Sequence, residues 1–131
     1  MENKTAASEF LVISRGKWDA NLPPERIEKA ISDFYIWLEE MVAAGKMKRG
    51  QRLATGGKTV SKSGILDGPF GETKEIIGGY WFIVASDLEE AASIASRNPC
   101  MQCGLFYEIR PVDPERASAY VRTNETPERT A

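Results

Sequence analysis

Two short apolar runs limit what this chain can fold into more than any other feature. Residues 9–14 (EFLVIS) and 80–85 (YWFIVA) are rich in β-branched and aromatic side chains. Both are too short for a buried helix and read as strands. The second is apolar at every position, which predicts a strand covered on both faces. Between them Ile27, Ala30, Ile31, Phe34, Leu38, Met41 and Val42 recur at three- and four-residue spacing. That spacing makes one core-facing stripe on a helix reaching about residue 44. Pro23 and Pro24 open it, with Asn21 or Leu22 as the expected cap and Glu25 in the first turn. Gly45 supplies a left-handed residue to end it. Ile36 falls on the outer side with Trp37 flanking the stripe, a weak hint of a partner surface.

The remaining segments complete a regular order. Residues 46–54 read as a strand with a basic start, and Gly56-Gly57 turns the chain. Residues 58–66 (KTVSKSGIL) form a small hairpin around Ser63-Gly64. Gly78-Gly79 permits a bulge or a close backbone approach. Ser86 and Glu89 make a capping-box pattern for a second helix with Leu88, Ala91, Ala92 and Ala95 inward. That helix ends near Asn98, because a residue before proline avoids helical geometry. In residues 105–112, Leu105, Tyr107 and Ile109 share one face while Glu108 and Arg110 share the other. Asp113-Pro114 is expected to start a short helix to about Tyr120, followed by a polar tail. The result is an α+β, ferredoxin-like βαββαβ domain over residues 9–113 with an inserted hairpin, then a short helix and tail over 114–131. Both helices lie on one face. The uncovered face predicts a homodimer.

Size and charge exclude several classes. The 131 residues suit one domain. A net charge of −2 leaves no global footprint for nucleic acid or an anionic membrane. No run of about 18 apolar residues is present to span a membrane. Residues 1–8 lack the apolar core of a signal peptide, so the cytoplasm is the expected compartment. The chain has no histidine, which removes the usual general base near neutral pH and the commonest metal ligand. Acid–base chemistry would fall to carboxylates, Lys, Tyr or Cys. No cofactor or metal is expected.

The densest chemistry is in residues 67–75 (DGPFGETKE). Asp67, Glu72, Lys74 and Glu75 crowd beside Gly68, Pro69 and Gly71. The segment is longer than a plain hairpin needs. Crowded carboxylates can raise one another's pKa, so Asp67 or Glu72 is a candidate general base. Lys74 and Glu75, with the backbone held by Gly68 and Pro69, are candidate contacts to an unidentified small molecule. The competing reading is a charged surface turn in which Asp67 caps and Lys74 neutralises its neighbours.

Three other groupings carry less. Cys100 and Cys103 form a C-x-x-C that follows a helix, the wrong end for a low-pKa thiolate, and two cysteines fall short of four zinc ligands. Buried reduced cysteines are the simpler account. Lys46, Lys48, Arg49, Arg52, Lys58 and Lys62 make a basic patch that suits an edge strand protected against aggregation. Tyr80, Trp81, Phe82, Phe106 and Tyr107 either line a pocket or fill the core.

The run DGPFGETKEIIGGYWFIVASDLEEA and the later GLFYEIRPV resemble the DGPF-type branch of the YCII-related domain family, a bacterial and mostly uncharacterised group. The resemblance covers residues 9–113. It implies a dimeric α+β barrel with clefts near the interface. The wider family carries a helix-1 histidine and an Asp-Pro pair, suggested as catalytic. Phe34 and Asn98-Pro99 stand at those places here, so that pair is not carried over. Genes of this branch often lie beside, or fused to, sigma-factor genes. That implies an alternative to a ligand-binding protein or enzyme: a non-catalytic accessory protein of transcription.

Overall fold

The computed structural model describes residues 7–67 and 76–128. Its elements run β1 (Ser8–Arg15), α1 (Pro24–Ala43), β2 (Met47–Arg52), β3 (Lys58–Ser61), β4 (Gly64–Asp67), β5 (Ile77–Ala85), α2 (Leu88–Ala95), a 3-10 helix (Pro99–Cys103) and β6 (Phe106–Pro111). Four strands form one antiparallel sheet in the order β2-β5-β1-β6. This is the expected ferredoxin-like arrangement, with the two apolar runs in the centre. The hairpin β3–β4 is a separate two-stranded ribbon with Lys62 and Ser63 at its tip.

Both helices pack on one sheet face. Phe10, Val12, Trp81, Ile83 and Ala85 point inward from β1 and β5 and meet Leu38 of α1 with Ala91, Ile94 and Ala95 of α2. A second small cluster joins Ala30, Cys100 and Cys103. α1 closes with a Schellman motif: Lys46 N–H donates to the Met41 carbonyl at 2.9 Å and Gly45 N–H to that of Val42 at 3.0 Å. No described helix is long and apolar enough to cross a membrane.

Several local expectations are corrected. Pro23 is the cap of α1 and makes no side-chain bond. The cap of α2 falls one residue later than the Ser86 pattern suggests: Asp87 accepts from Glu90 N–H at 2.8 Å, and Glu90 reaches back to Ser86 N–H at 2.7 Å. The buried face of α2 is Ala91, Ile94 and Ala95, while Leu88 is 43 % exposed and Ala92 is exposed too. Residues 112–128 contain turns and bends but no helix, because local Asp, Ser and Thr side chains bond nearby N–H groups instead. β5 is covered on one face only. Gly79, Trp81, Ile83 and Ala85 are buried, whereas Gly78, Tyr80, Phe82 and Val84 are half-buried.

Two bulges shape the sheet at one end. In the β1–β5 ladder Ser14 faces Gly79 and Arg15 faces Ile77, so Gly78 is the extra residue. In the β2–β5 ladder Lys48 faces Phe82 and Gln51 faces Tyr80, so Arg49 and Gly50 oppose Trp81 alone.

Candidate functional site: an aromatic cleft between the first helix and the sheet

The bulged end of the sheet and α1 enclose a cleft of about 400 Å³. Ile31, Phe34, Tyr35, Leu38 and Glu39 line it from α1. Arg49, Gly50, Gln51 and Arg52 line it from β2, and Gly79, Tyr80 and Trp81 from β5. Ser14, Trp18, Cys100, Leu105 and Tyr107 complete the walls. An ordinary strand points alternate side chains to opposite faces. The bulge at Arg49-Gly50 breaks that alternation, so consecutive residues of β2 reach one cleft.

The walls are aromatic and tightly paired. The ring of Phe34 lies 5.1 Å from that of Trp81, and Trp81 lies 5.5 Å edge-on from Tyr107. Trp81 is 8 % exposed, and its Nε1 is buried with no hydrogen-bond partner among the described residues. Such an orphan donor is costly. At the mouth Arg49 grips the Glu39 carboxylate, Nε donating to Oε2 at 3.1 Å and Nη2 making a second, shorter contact to Oε1. The guanidinium holds the Glu39 carboxyl below its ordinary range.

Titratable groups in the deep end are held protonated. Burial pushes the Cys100 thiol up to about 11, and its S–H lies 3.6 Å from the Ala30 carbonyl. Burial raises the Tyr107 phenol as well, with the neighbouring Cys100 adding to it. Neither group is a base at neutral pH. Their donors are already turned on the protein itself: the Cys100 S–H faces the Ala30 carbonyl, and the Tyr107 phenol bonds Cys100.

The thiol has a consequence for stability. Its folded pKa, about 11, lies above the ordinary 9.0, so the unfolded chain releases this proton first. The stabilisation is complete below pH 9 and is lost as pH rises towards 11. Tyr107 acts in the same direction. The urea midpoint should stay level up to about pH 8.5 and then fall, less steeply in Cys100→Ser. A midpoint that rises above pH 9, or falls identically in the variant, would refute the assignment.

The motif-derived residues are placed differently. Asp67 ends β4 with its side chain 89 % exposed and pairs with Lys58 across the hairpin. It does not line the cleft. Gly68, Pro69, Glu72, Lys74 and Glu75 lie outside the described residues. Further along, Gly79 lines the cleft and Arg52 Nη1 is 3.7 Å from where a Cβ on Gly78 would stand.

Among the other groupings, Trp81 and Tyr107 line the cleft, Tyr80 borders it while its ring pairs with Phe82 on the outer sheet face, and Phe82 and Phe106 do not line it. Cys100 and Cys103 are free and buried. The described residues contain no cluster of His, Cys, Asp or Glu able to hold a metal. The basic patch is dispersed by ion pairs, Lys48 with Glu9, Arg49 with Glu39 and Lys58 with Asp67. Ser14, Trp18, Arg49 to Arg52 and Leu105 were not singled out together by any sequence pattern. The available signal was Gly50 inside a charged strand, a position that marks a bulge.

A ferredoxin-like α+β domain with a helix-side cleft is the class that fold and site define. The family model of the YCII-related domain matches residues 9–116, and the chain belongs to that family. It is also 33 % identical over 98 residues to an uncharacterised protein of Rhizobium meliloti (strain 1021), covering 67 % of this chain and 77 % of that protein. Within the family setting, Phe34 is a wall of the cleft. Asn98 is 3 % exposed, its Oδ1 accepting from Cys100 N–H at 2.8 Å and its Nδ2 without a partner among the described residues.

Proposed function

We propose that this chain is a small-molecule-binding protein, a cytoplasmic homodimer of the DGPF type, and that the cleft under α1 receives the ligand. The observation that carries the reading is the cleft itself: aromatic walls, a few polar groups and a size within the usual range for ligand sites. The protonated Tyr107 and Cys100 favour recognition over base catalysis in the described part of the site. A carboxylate base would be Glu39 at the mouth or, if the motif joins the site, Asp67 or Glu72, with Lys74, Glu75, Gly68 and Pro69 as further contacts. A second copy on the outer sheet face would complete the fold. The half-buried Leu11, Ile13, Tyr80, Phe82 and Val84 support that assembly.

The test is a thermal-shift survey of one- and two-ring metabolites on the full chain. A ligand at a hundredfold its Kd adds about 2.7 kcal/mol, a shift of several degrees. Ile31→Trp, which fills the cleft, should abolish the shift. Asp67→Asn and Glu72→Gln should melt within about a degree of the parent, and a weakened shift in either assigns the motif to the site. If no compound gives a shift sensitive to Ile31→Trp, the cleft is not a binding site and the accessory-protein reading takes its place. If the two carboxylate variants lose folding without a binding defect, the motif is structural.

A further inference from the structure

We propose that the cleft takes a planar aromatic monoanion of one or two rings, its ring system against Phe34, Trp81 and Tyr107 and its acid group at the Arg52 side of the mouth. This deepens the binding reading and rests on it. Size comes first. A cavity of ~150 Å³ is enough to hold benzene. The cleft of about 400 Å³ therefore has room for a one- or two-ring compound with a substituent. Shape comes next. Phe34, Trp81 and Tyr107 present ring faces and edges 5.1–5.5 Å apart, the spacing at which aromatic groups gain beyond simple burial. A flexible aliphatic chain would forgo that gain.

Charge decides the rest. The described lining holds two guanidiniums, Arg49 and Arg52, against one carboxylate, Glu39. Glu39 is engaged by Arg49 through two nitrogens, so that pair is close to neutral. Among the described lining residues Arg52 is then the one charge left over, and it is positive. Its Nη1 lies beside the Gly78 bulge of β5, 3.7 Å from where a Cβ on Gly78 would stand, an ordinary contact distance. A guanidinium offers a planar fork matched to a carboxylate or sulfonate. A dianion would leave one of its charges unmatched by the described lining, and a cation would meet Arg52.

The experiment uses the full chain and three probes of equal ring size: 2-naphthoate, naphthalene-2-methanol and 2-naphthylmethylammonium. Affinities are read by calorimetry and by quenching of tryptophan fluorescence. Naphthoate should bind about tenfold more tightly than the alcohol, with the ammonium weakest, and added salt should narrow the gap. Arg52→Gln should weaken naphthoate about tenfold while leaving the alcohol within about twofold, which also shows that the variant is folded. Gln51→Glu should act on naphthoate in the same direction. The ligand class is overturned if naphthoate and the alcohol bind within about threefold of each other, or if Arg52→Gln weakens both alike. It is overturned too if naphthoate binding survives Ile31→Trp, because the site is then elsewhere. If no probe binds up to about 5 mM while other compounds still give shifts abolished by Ile31→Trp, the class is wrong and the cleft stands. If nothing binds, both readings fall.

Discussion

Gly50→Ala is expected to destabilise the protein by about 3 kcal/mol or more, at the upper end for a single added methyl group. A Cβ on Gly50 would stand 1.9 Å from the Tyr80 carbonyl oxygen and 2.8 Å from the Trp81 Cα. Those are backbone atoms of the central strand β5, so no rotamer change relieves the clash. Either β2 moves off the sheet or the bulge is lost. A whole domain of this size is held by only about 5–15 kcal/mol, so the loss would be visible in any denaturation curve. Gly45→Ala is the comparison. It has a φ of +78° and nothing within 4 Å of an added Cβ, so it should cost only about 1 kcal/mol, for the left-handed backbone. Urea titration of both variants decides the matter. Equal losses would mean that the close approach at Gly50 relaxes at little cost. Because Arg49, Gln51 and Arg52 take their places from the same bulge, Gly50→Ala should weaken ligand binding as well.

Phe82→Glu is expected to turn a dimer into a monomer. The outer sheet face carries Leu11, Ile13, Tyr80, Phe82 and Val84, with Tyr80 and Phe82 edge-to-face at 6.1 Å. Neither helix packs there, since both meet the opposite face. Charged groups flank the apolar centre in pairs of both signs: Lys48 with Glu9, and Glu108 with Arg15 at 2.6 Å and Arg110 at 3.1 Å. Mixed signs suit a two-fold interface, in which the same patch must complement itself. An obligate interface should bury roughly 2,000 Å² or more. A glutamate at its centre would be buried without a partner, weakening association by about 3 kcal/mol, roughly a hundredfold or more in Kd. Ile36→Glu is the control. Ile36 is 59 % exposed on α1, away from that face, and its replacement should leave the dimer intact. Light scattering at micromolar concentration checks both. A monomeric parent protein would refute the dimer, and an effect of Ile36→Glu alone would move the interface to α1.

The sheet was legible in the chain because strands and helices announce themselves through period. The stripe on residues 27–42 and the run at residues 80–85 have readings that depend on nearest neighbours alone. The same locality explains the Schellman ending at Gly45. It also explains the misses. The cap of α2 slid by one residue because Ser86, Asp87, Glu89 and Glu90 offer overlapping capping patterns. The pair formed by Asp87 with Glu90 N–H and by Glu90 with Ser86 N–H is the one that closes. The helix expected after Pro114 did not form because short polar side chains bond the same backbone groups within turns.

Site residues were harder to read, for a physical reason. Asp67, Glu72, Lys74 and Glu75 are conspicuous because they are adjacent in sequence. The cleft is inconspicuous because its walls come from five separated segments, brought together only by the crossing of α1 over the sheet. Local sequence thus determined the order of elements, the central strands and the absence of histidine chemistry. Tertiary structure alone decided that Ser14, Phe34, Arg52, Trp81 and Tyr107 share one cavity. The bulge at Arg49-Gly50 rotates β2 side chains towards partners some thirty residues away, and nothing in the period of β2 itself records where they will point.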